Sequence, residues 1–290
     1  MTTTNWTHIF LQKNHYLLFL AGIFLLLSGL LQRQNHIIFT KLPNIPGVIE
    51  AGIYVFEPSP KTPQGILVLA NGYNNTHGNL IREREWQMFA QEHQLVLIEI
   101  AFVSHEEDLI NGKGYYYASN GSGALLLKAI DDKFPRNLPL LMFGYSGGGH
   151  YVARFQAWKP ERVKGWATYG VGWWDETVSN VENIQPPGLI ICGDDDLRFS
   201  ACFRFYQHGI EQGRKLLWLG LKDSGHYISP HILPFIQDYF DGLMQNDILD
   251  WQMLKKGNTI YGWLPNGKLL DEYQKLDLAF PTFKIKETYE

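Results

Sequence analysis

Short runs of apolar residues alternate along the middle of the chain with longer segments of helical periodicity. Residues 65–70 (GILVLA) form a continuous apolar run that ends at an Asn-Gly pair. Such a run is typical of a strand buried on both faces of a parallel sheet. Residues 85–93 then place apolar side chains at helical spacing, and residues 95–100 return to the buried-strand pattern. The three segments predict one βαβ unit.

The same alternation continues to residue 243. It predicts helices over 122–133, 147–158 and 230–243 and strands over 138–143, 163–169, 188–192 and 215–219. Because neighbouring parallel strands need a crossover connection, usually a helix, this alternation favours a doubly wound, mostly parallel sheet. The predicted fold class is therefore α/β.

Changes in composition divide the chain into four predicted parts. Residues 1–34 carry an apolar segment, and residues 35–64 form a proline-punctuated linker with an edge strand near 49–56. Residues 65–245 form the α/β domain. Residues 246–290 contain turn signals between aromatic-rich runs, which predicts a hairpin in a small C-terminal appendage packed on that domain.

The N-terminal segment is directed to a membrane. Sixteen residues without a charge, 16–31, lie between Lys13 and Arg33. This length falls between the core of a signal peptide, about 7–15 residues, and a spanning helix, about 17–25 residues. No two small residues around Ser28 have the spacing that signal peptidase needs, which favours an uncleaved anchor over a cleaved signal peptide. The predicted location is membrane-anchored, or exported if the segment is cleaved, and the flanking charges do not set the side of the membrane.

Charge and cysteine content exclude several classes of partner. The formal net charge is -4, and no run of Lys or Arg forms a basic stripe, so nucleic acid is not an expected partner. The two cysteines, Cys192 and Cys202, have the spacing of neither a metal-ligand cluster nor a disulfide framework. No metal site is expected.

The pattern Gly-x-Ser-x-Gly occurs at 144–148, directly after a predicted strand and before a predicted helix. A nucleophile on a sharp strand-to-helix turn needs glycine two residues before and after it, because a side chain there would collide with backbone. Gly144 and Gly148 meet this need around Ser146. The motifs of a phosphate loop or a dinucleotide site are absent from this turn. Ser146 is thus the predicted nucleophile, with the Gly147 N–H facing a developing oxyanion.

Chain order predicts the partners of this serine. A serine nucleophile needs a base that is oriented by a carboxylate, and a nucleophile on this kind of turn is followed along the chain first by the acid and then by the histidine. Asp194, Asp195 and Asp196 end one late strand, and His226 follows the next. We expect His226 to be the base and Asp196 to be the acid, with Asp194 and Asp195 as the alternatives.

The second oxyanion donor is expected in the loop after the first buried strand. Residues 71–75 occupy that position, where Gly72 permits close approach and the Tyr73 N–H is the predicted donor. An ordinary Asn-Gly turn is the alternative. Three further residues are predicted to contact the substrate: Asn74, Tyr145 and Trp173.

The motif at 144–149, together with residues 160–163 and 172–174, resembles bacterial α/β hydrolases of the polyhydroxybutyrate-depolymerase and feruloyl-esterase type. The resemblance spans about 66–243. It departs from the family at Asn71, where such proteins often have His before the glycine. It implies the α/β-hydrolase fold and hydrolysis of a carboxylic ester through an acyl-enzyme, without a cofactor. The expected partner is a small-molecule or lipid-like ester.

Two other functions fit the same residues. A thioesterase or an acyltransferase would use the same triad and differ only in leaving group or acceptor. A non-catalytic, membrane-tethered binding protein on a hydrolase scaffold would be expected to have lost part of the triad, whereas Ser146, Asp196 and His226 are all present.

Overall fold

The computed structural model describes most of the chain after the apolar N-terminal segment. The described residues are 36–58, 62–172, 185–244, 252–256 and 259–264. The predicted membrane segment, 16–31, lies outside these residues and stays a prediction. In the described ranges, no helix has both the length and the apolar character needed to cross a bilayer.

A sheet with ten strands in the described residues forms the centre of the fold. The strands are β1 (Ile37–Lys41), β2 (Glu50–Phe56), β3 (Gly65–Ala70), β4 (Leu95–Val103), β5 (Leu140–Tyr145), β6 (Val163–Tyr169), β7 (Gly188–Gly193), β8 (Leu216–Leu221), β9 (Gln252–Lys256) and β10 (Thr259–Leu264). Their order across the sheet is β1-β2-β4-β3-β5-β6-β7-β8-β10-β9. The six strands from β4 to β8 in this order are parallel, and antiparallel strands extend both edges. The prediction of a mostly parallel sheet is confirmed.

Helices cover both faces of this sheet. Those in the described residues are α1 (Arg84–Glu92), α2 (Glu106–Ile110), α3 (Ser122–Asp131), α4 (Gly147–Trp158), α5 (Phe199–Glu211) and α6 (Leu233–Met244). Apolar side chains of α3, α4 and α5 pack in the core on one face, and those of α1 and α6 pack in the core on the other. The result is a three-layer arrangement, as the crossover pattern requires.

The central strands are apolar throughout because successive side chains enter opposite cores. In β3, Ile66 and Val68 belong to the core under α3, α4 and α5, whereas Leu67 and Leu69 belong to the core under α1 and α6. All four side chains are fully buried. Burial of each such side chain contributes about 1.5–3 kcal/mol. This two-sided burial explains why the strand shows a continuous apolar run instead of alternation.

The parallel strands all end at the same edge of the sheet. β3 leads into residues 71–75, β5 into Ser146, β7 into 194–196, and β8 into the loop that carries His226. The fold therefore gathers the chemically important segments at the carboxyl edge, where open α/β sheets bind their ligands.

The N-terminal edge of the sheet contains one strand more than the sequence predicted. The predicted edge strand near 49–56 is β2, but it lies second from the edge because β1 pairs with it, with Ile38 opposite Val55. Most residues of β1 are exposed, so the strand has no buried pattern that the sequence could reveal. Helix α5 was also not predicted, although its buried residues recur at helical spacing.

The predicted C-terminal hairpin is β9 and β10, and it extends the sheet. β10 pairs with β8 through Gly262 and Leu217, so this hairpin continues the main sheet. Gly262 has φ +121°, and a Cβ there would lie 2.0 Å from the Leu216 carbonyl oxygen. Only glycine permits this approach of the two strands.

Replacement of Gly262 by alanine tests the attachment of the hairpin to the sheet. We expect Gly262→Ala to lower the free energy of unfolding by about 2–5 kcal/mol, the sum of backbone strain at positive φ and overpacking. The matched control is Gly213→Ala, which has φ +76° but no atom within 4 Å of the added Cβ. The control should lose only about 1–2 kcal/mol. Chemical denaturation measures both, and equal losses would contradict the close contact.

Candidate active site

Ser146 lies on a sharp turn between β5 and α4. Its backbone has φ 49° and ψ -117°, a conformation that costs a non-glycine residue about 1–3 kcal/mol. A Cβ on Gly144 would lie 2.5 Å from the Gly148 carbonyl oxygen, and a Cβ on Gly148 would lie 2.0 Å from the Ala70 carbonyl oxygen. Both glycines are therefore required by close backbone contacts, which is the physical reason for the motif.

His226 and Asp196 lie in line with this serine. His226 Nε2 is 2.9 Å from Ser146 Oγ, and His226 Nδ1 is 2.6 Å from Asp196 Oδ2. The Asp196 side chain is fully buried, whereas that of His226 is 29% exposed. The three residues that chain order selected are thus in mutual contact, although they lie 30 and 80 positions apart in the sequence.

Among the three acidic residues after β7, Asp196 is the one in contact with His226. Asp194 and Asp195 are both exposed, and Asp194 Oδ1 instead accepts a long hydrogen bond of 3.4 Å from the Ser224 N–H. Asp196 Oδ1 accepts hydrogen bonds from the backbone N–H and the guanidinium of Arg198, both at 3.0 Å. One carboxylate oxygen therefore faces the imidazole while the other is fixed by Arg198.

These contacts keep Asp196 ionised. Burial alone would raise the pKa of its carboxyl group, but hydrogen bonds from Arg198 and His226 outweigh burial and hold the pKa below its ordinary value. A buried carboxylate that is charged and hydrogen-bonded can orient an imidazole and stabilise its protonated form. Sequence reasoning missed Arg198, and its position two residues after Asp196 was the available signal.

Tyr145 was predicted to contact a substrate, and the structure places it against His226. Its hydroxyl donates a hydrogen bond of 2.8 Å to the His226 carbonyl oxygen. Its ring stacks on the imidazole with a centroid distance of 5.1 Å. Gly170, which was not singled out, completes this contact surface, because a Cβ there would lie 2.9 Å from His226 Cε1. The imidazole is thus held from two sides.

The two residues predicted to supply the oxyanion donors, Gly147 and Tyr73, lie beside each other. A Cβ built on Gly147 would be 2.8 Å from the Tyr73 nitrogen. Gly147 is the first residue of α4, where backbone N–H groups have no intrahelical acceptor and the helix dipole favours negative charge. Within the described residues, neither N–H donates a hydrogen bond to another protein group. Both are available to an anionic oxygen next to Ser146.

Asn74 fixes the loop that carries the Tyr73 N–H. Its side chain donates to the Ser104 carbonyl oxygen at 2.9 Å and accepts from the Ser104 N–H at 3.1 Å. Its own N–H donates to Tyr115 Oη at 3.1 Å. Asn74 has φ 50°, a conformation that asparagine tolerates better than most residues. The hydrogen-bonding groups of Asn74, which was predicted to contact the substrate, are thus used within the protein. Trp173, another predicted substrate contact, lies outside the described residues.

A buried glutamate contacts the beginning of the same loop. Glu99 on β4 is fully buried, its Oε2 accepts a hydrogen bond of 2.7 Å from the Ile81 N–H, and its carboxyl group interacts with the Asn71 side chain. Asn71 Oδ1 in turn accepts from the Gly72 N–H at 2.7 Å. Burial raises the pKa of Glu99 to about 7, although these hydrogen bonds and Arg82 oppose the shift. Glu99 was not predicted, because a lone acid inside an apolar run has no local motif.

The site contains side chains suited to acid–base and nucleophilic chemistry. In the part of the chain that the structure describes, no group of three or more His, Cys, Asp or Glu residues is placed to hold a metal ion. Cys192 and Cys202 are buried and free.

Comparisons with known proteins identify the fold. The sequence matches no protein-family model and no curated protein. The structure is similar to a fluorophosphonate-binding serine hydrolase of Staphylococcus aureus, with a TM-score of 0.54 and 13% identity over 73% of this chain and 99% of that chain. An S-formylglutathione hydrolase from Agrobacterium tumefaciens gives a TM-score of 0.54 and 16% identity over 71% of this chain and 94% of that chain. A ferulic acid esterase gives a TM-score of 0.53 and 12% identity over 72% of this chain and 96% of that chain. The predicted α/β-hydrolase fold is confirmed.

The pH dependence of stability tests the state of Glu99. Its pKa rises from 4.5 to about 7 on folding, so between these values the folded protein keeps a proton that the unfolded chain has lost. Stability therefore falls as the pH rises through this window. Glu99→Gln should remove this loss. Between pH 5 and pH 8, the free energy of unfolding of the variant should therefore rise relative to that of wild type by up to about 3 kcal/mol.

Chemical denaturation at a series of pH values measures this effect. Glu99→Leu is the matched control, because it also removes the titrating group but leaves the Ile81 N–H without an acceptor. It should show the same pH dependence as Glu99→Gln at lower stability. A constant difference between wild type and Glu99→Gln across the range would contradict the raised pKa.

Proposed function

We propose that this protein is a serine hydrolase that cleaves a carboxylic ester through an acyl-enzyme. Ser146 is the nucleophile, His226 the general base, and Asp196 the acid that orients it. The observation that carries the proposal is the unbroken line of contacts from Ser146 Oγ to His226 to Asp196, at 2.9 and 2.6 Å. The positive φ of Ser146 adds support, because strain of this kind accompanies a nucleophile held on a sharp turn.

In the first half of the reaction, Ser146 Oγ attacks the carbonyl carbon of the ester while His226 Nε2 accepts its proton. This requires that the proton of neutral His226 be on Nδ1, and Asp196 Oδ2 fixes that tautomer by accepting it. The charge of Asp196 then stabilises the imidazolium. Arg198 and Tyr145 keep the acid and the base in place through the hydrogen bonds that they donate.

The carbonyl oxygen becomes an oxyanion as the carbon turns tetrahedral. The N–H groups of Gly147 and Tyr73 lie side by side next to this position and donate to it. Loss of one such donor costs about 2.7–4 kcal/mol of transition-state stabilisation in serine hydrolases. The network of Glu99, Asn71 and Asn74 fixes the loop with the Tyr73 N–H before substrate arrives.

The first half ends when the carbon–oxygen bond of the ester breaks. Protonated His226 gives its proton to the departing alkoxide, an alcohol leaves, and the acyl group stays on Ser146. In the second half, water attacks this acyl group, with His226 as base for the proton of the water. The carbon–oxygen bond to Ser146 breaks, the proton returns to Ser146 Oγ, and a carboxylic acid is released. No cofactor enters this cycle.

The bond that is cleaved is inferred from two sources. The resemblance of the 144–149 motif to esterases favours an oxygen ester, and a ferulic acid esterase is among the proteins with a similar structure. An S-formylglutathione hydrolase, whose substrate is a thioester, has a similar structure too. A thioesterase or an acyltransferase would use the same triad. A non-catalytic binding protein would not need the contacts among Ser146, His226 and Asp196. Attachment to a membrane through residues 16–31 stays a prediction from the sequence.

Hydrolysis of p-nitrophenyl esters by purified variants tests the triad. We expect Ser146→Ala and Asp196→Asn each to lower kcat by about 10⁴-fold or more, because the first removes the nucleophile and the second favours the wrong tautomer of His226. The controls are Ser119→Ala and Asp195→Asn, which change exposed residues and should keep wild-type kcat. Thermal unfolding checks that each variant is folded.

The same assay with a thioester of equal acyl chain distinguishes the leaving groups. A folded wild-type protein that hydrolyses neither substrate would contradict the proposed function. Equal activity of wild type and Ser146→Ala would contradict the choice of nucleophile.

A further inference from the structure

The hydroxyl group of Tyr116 lies against Gly147, close to the Tyr73 nitrogen. A Cβ built on Gly147 would be 2.6 Å from Tyr116 Oη, as well as 2.8 Å from the Tyr73 nitrogen. Tyr116 comes from the segment between α2 and α3, and it is 5% exposed. This hydroxyl can donate a hydrogen bond and is therefore close to the residues of both backbone donors described above, one of which directly follows Ser146.

We propose that the Tyr116 hydroxyl is a third hydrogen-bond donor to the oxyanion of the tetrahedral intermediate. The proposal rests on the proposed function, because the oxyanion forms only if Ser146 attacks a carbonyl group. It assigns a catalytic role to a residue far in sequence from both the Gly-x-Ser-x-Gly motif and the loop at 71–75.

The ring of Tyr116 is held in place before substrate binds. It stacks on His150 with a centroid distance of 5.0 Å and an interplanar angle of 23°. Its other neighbour is Tyr115, at a centroid distance of 4.8 Å and an angle of 77°. Preorganised donors stabilise a transition state more than mobile ones, because no reorganisation is needed during the reaction. His150 is the fourth residue of α4, so the helix that begins at Gly147 also holds this ring in place.

Tyr115 lies between Asn74 and Tyr116. The Asn74 N–H donates to Tyr115 Oη at 3.1 Å. The Tyr115 hydroxyl in turn interacts with that of Tyr116. Because Tyr115 Oη already accepts from Asn74, its own proton can be donated to Tyr116 Oη, and the Tyr116 proton can then be donated to the oxyanion.

Tyr116 is a neutral donor over the range in which an esterase works. Burial raises its pKa to about 12, and the contact with Tyr115 only partly offsets this effect. The phenol therefore stays protonated and can donate a hydrogen bond to a negatively charged oxygen without transferring its proton. Hydrogen bonds to an ionised acceptor are about twice as strong as those between neutral groups.

Tyr116→Phe removes the hydroxyl and keeps the ring contacts with His150 and Tyr115. We expect kcat for a p-nitrophenyl ester to fall by about 10²-fold with KM nearly unchanged, because the lost bond belongs to the transition state. The inhibition constant of a trifluoromethyl ketone, which forms a tetrahedral oxyanion adduct with a serine nucleophile, should rise by a similar factor. Tyr117→Phe is the matched control, because this adjacent ring packs on Arg154, with 4.3 Å between the ring centroid and the guanidinium carbon. It should keep wild-type constants.

The outcomes separate this proposal from the proposed function. If Tyr116→Phe keeps wild-type kcat while Ser146→Ala has lost it, the role of Tyr116 is wrong and the triad stands. A fall in kcat without a change in the inhibition constant of the ketone, or an equal fall in Tyr117→Phe, assigns the effect to packing and overturns the proposal. A wild-type protein that neither hydrolyses the ester nor binds the ketone overturns both.

Discussion

The close approach of the first turn of α4 to the end of β3 is the constraint on which the site depends. A Cβ on Gly148 would lie 2.0 Å from the Ala70 carbonyl oxygen, and Ala70 is paired with Gly144 in neighbouring parallel strands. This contact presses the N-terminus of α4 against the loop that follows β3. As a result, the Gly147 and Tyr73 N–H groups become neighbours next to Ser146, although the two loops lie more than 70 residues apart. A larger side chain at Gly148 would push the loop with Tyr73 away from Gly147 and Ser146.

The parts of the fold that local patterns determine could be predicted from the sequence. Strands with both faces buried show continuous apolar runs, so β3 to β8 were identified with bounds that differ by a few residues. The glycines around Ser146 form a short motif that could be recognised, although one of the contacts that requires them, between Gly148 and Ala70, is long-range. β1 was missed because its residues are mostly exposed, and the pairing of Gly262 with β8 was not predicted because it is a long-range contact.

The supporting residues of the site could not be predicted in the same way. Asn74 and Tyr145 were expected at a substrate because of their positions next to the loop and the nucleophile, but their polar groups bond to Ser104 and to His226. Glu99 and Tyr116 lie in segments without a motif, and their contacts with Asn71 and with Gly147 exist only in the folded chain. Chain order selected Ser146, His226 and a group of three aspartates in which Asp196 was preferred, and the contact of Asp196 with the imidazole supports that preference.

Activation of Ser146 by His226 and Asp196 is the property on which the proposed reaction depends. Reaction of the folded protein with a fluorophosphonate, followed by peptide mapping in a mass spectrometer, measures this property. We expect one phosphonyl group per chain, located on Ser146, and its formation should slow in proportion to an added ester substrate that occupies the site. A phosphonyl group on a different residue, or an unmodified Ser146 in protein that is folded, would show that Ser146 is not an activated nucleophile.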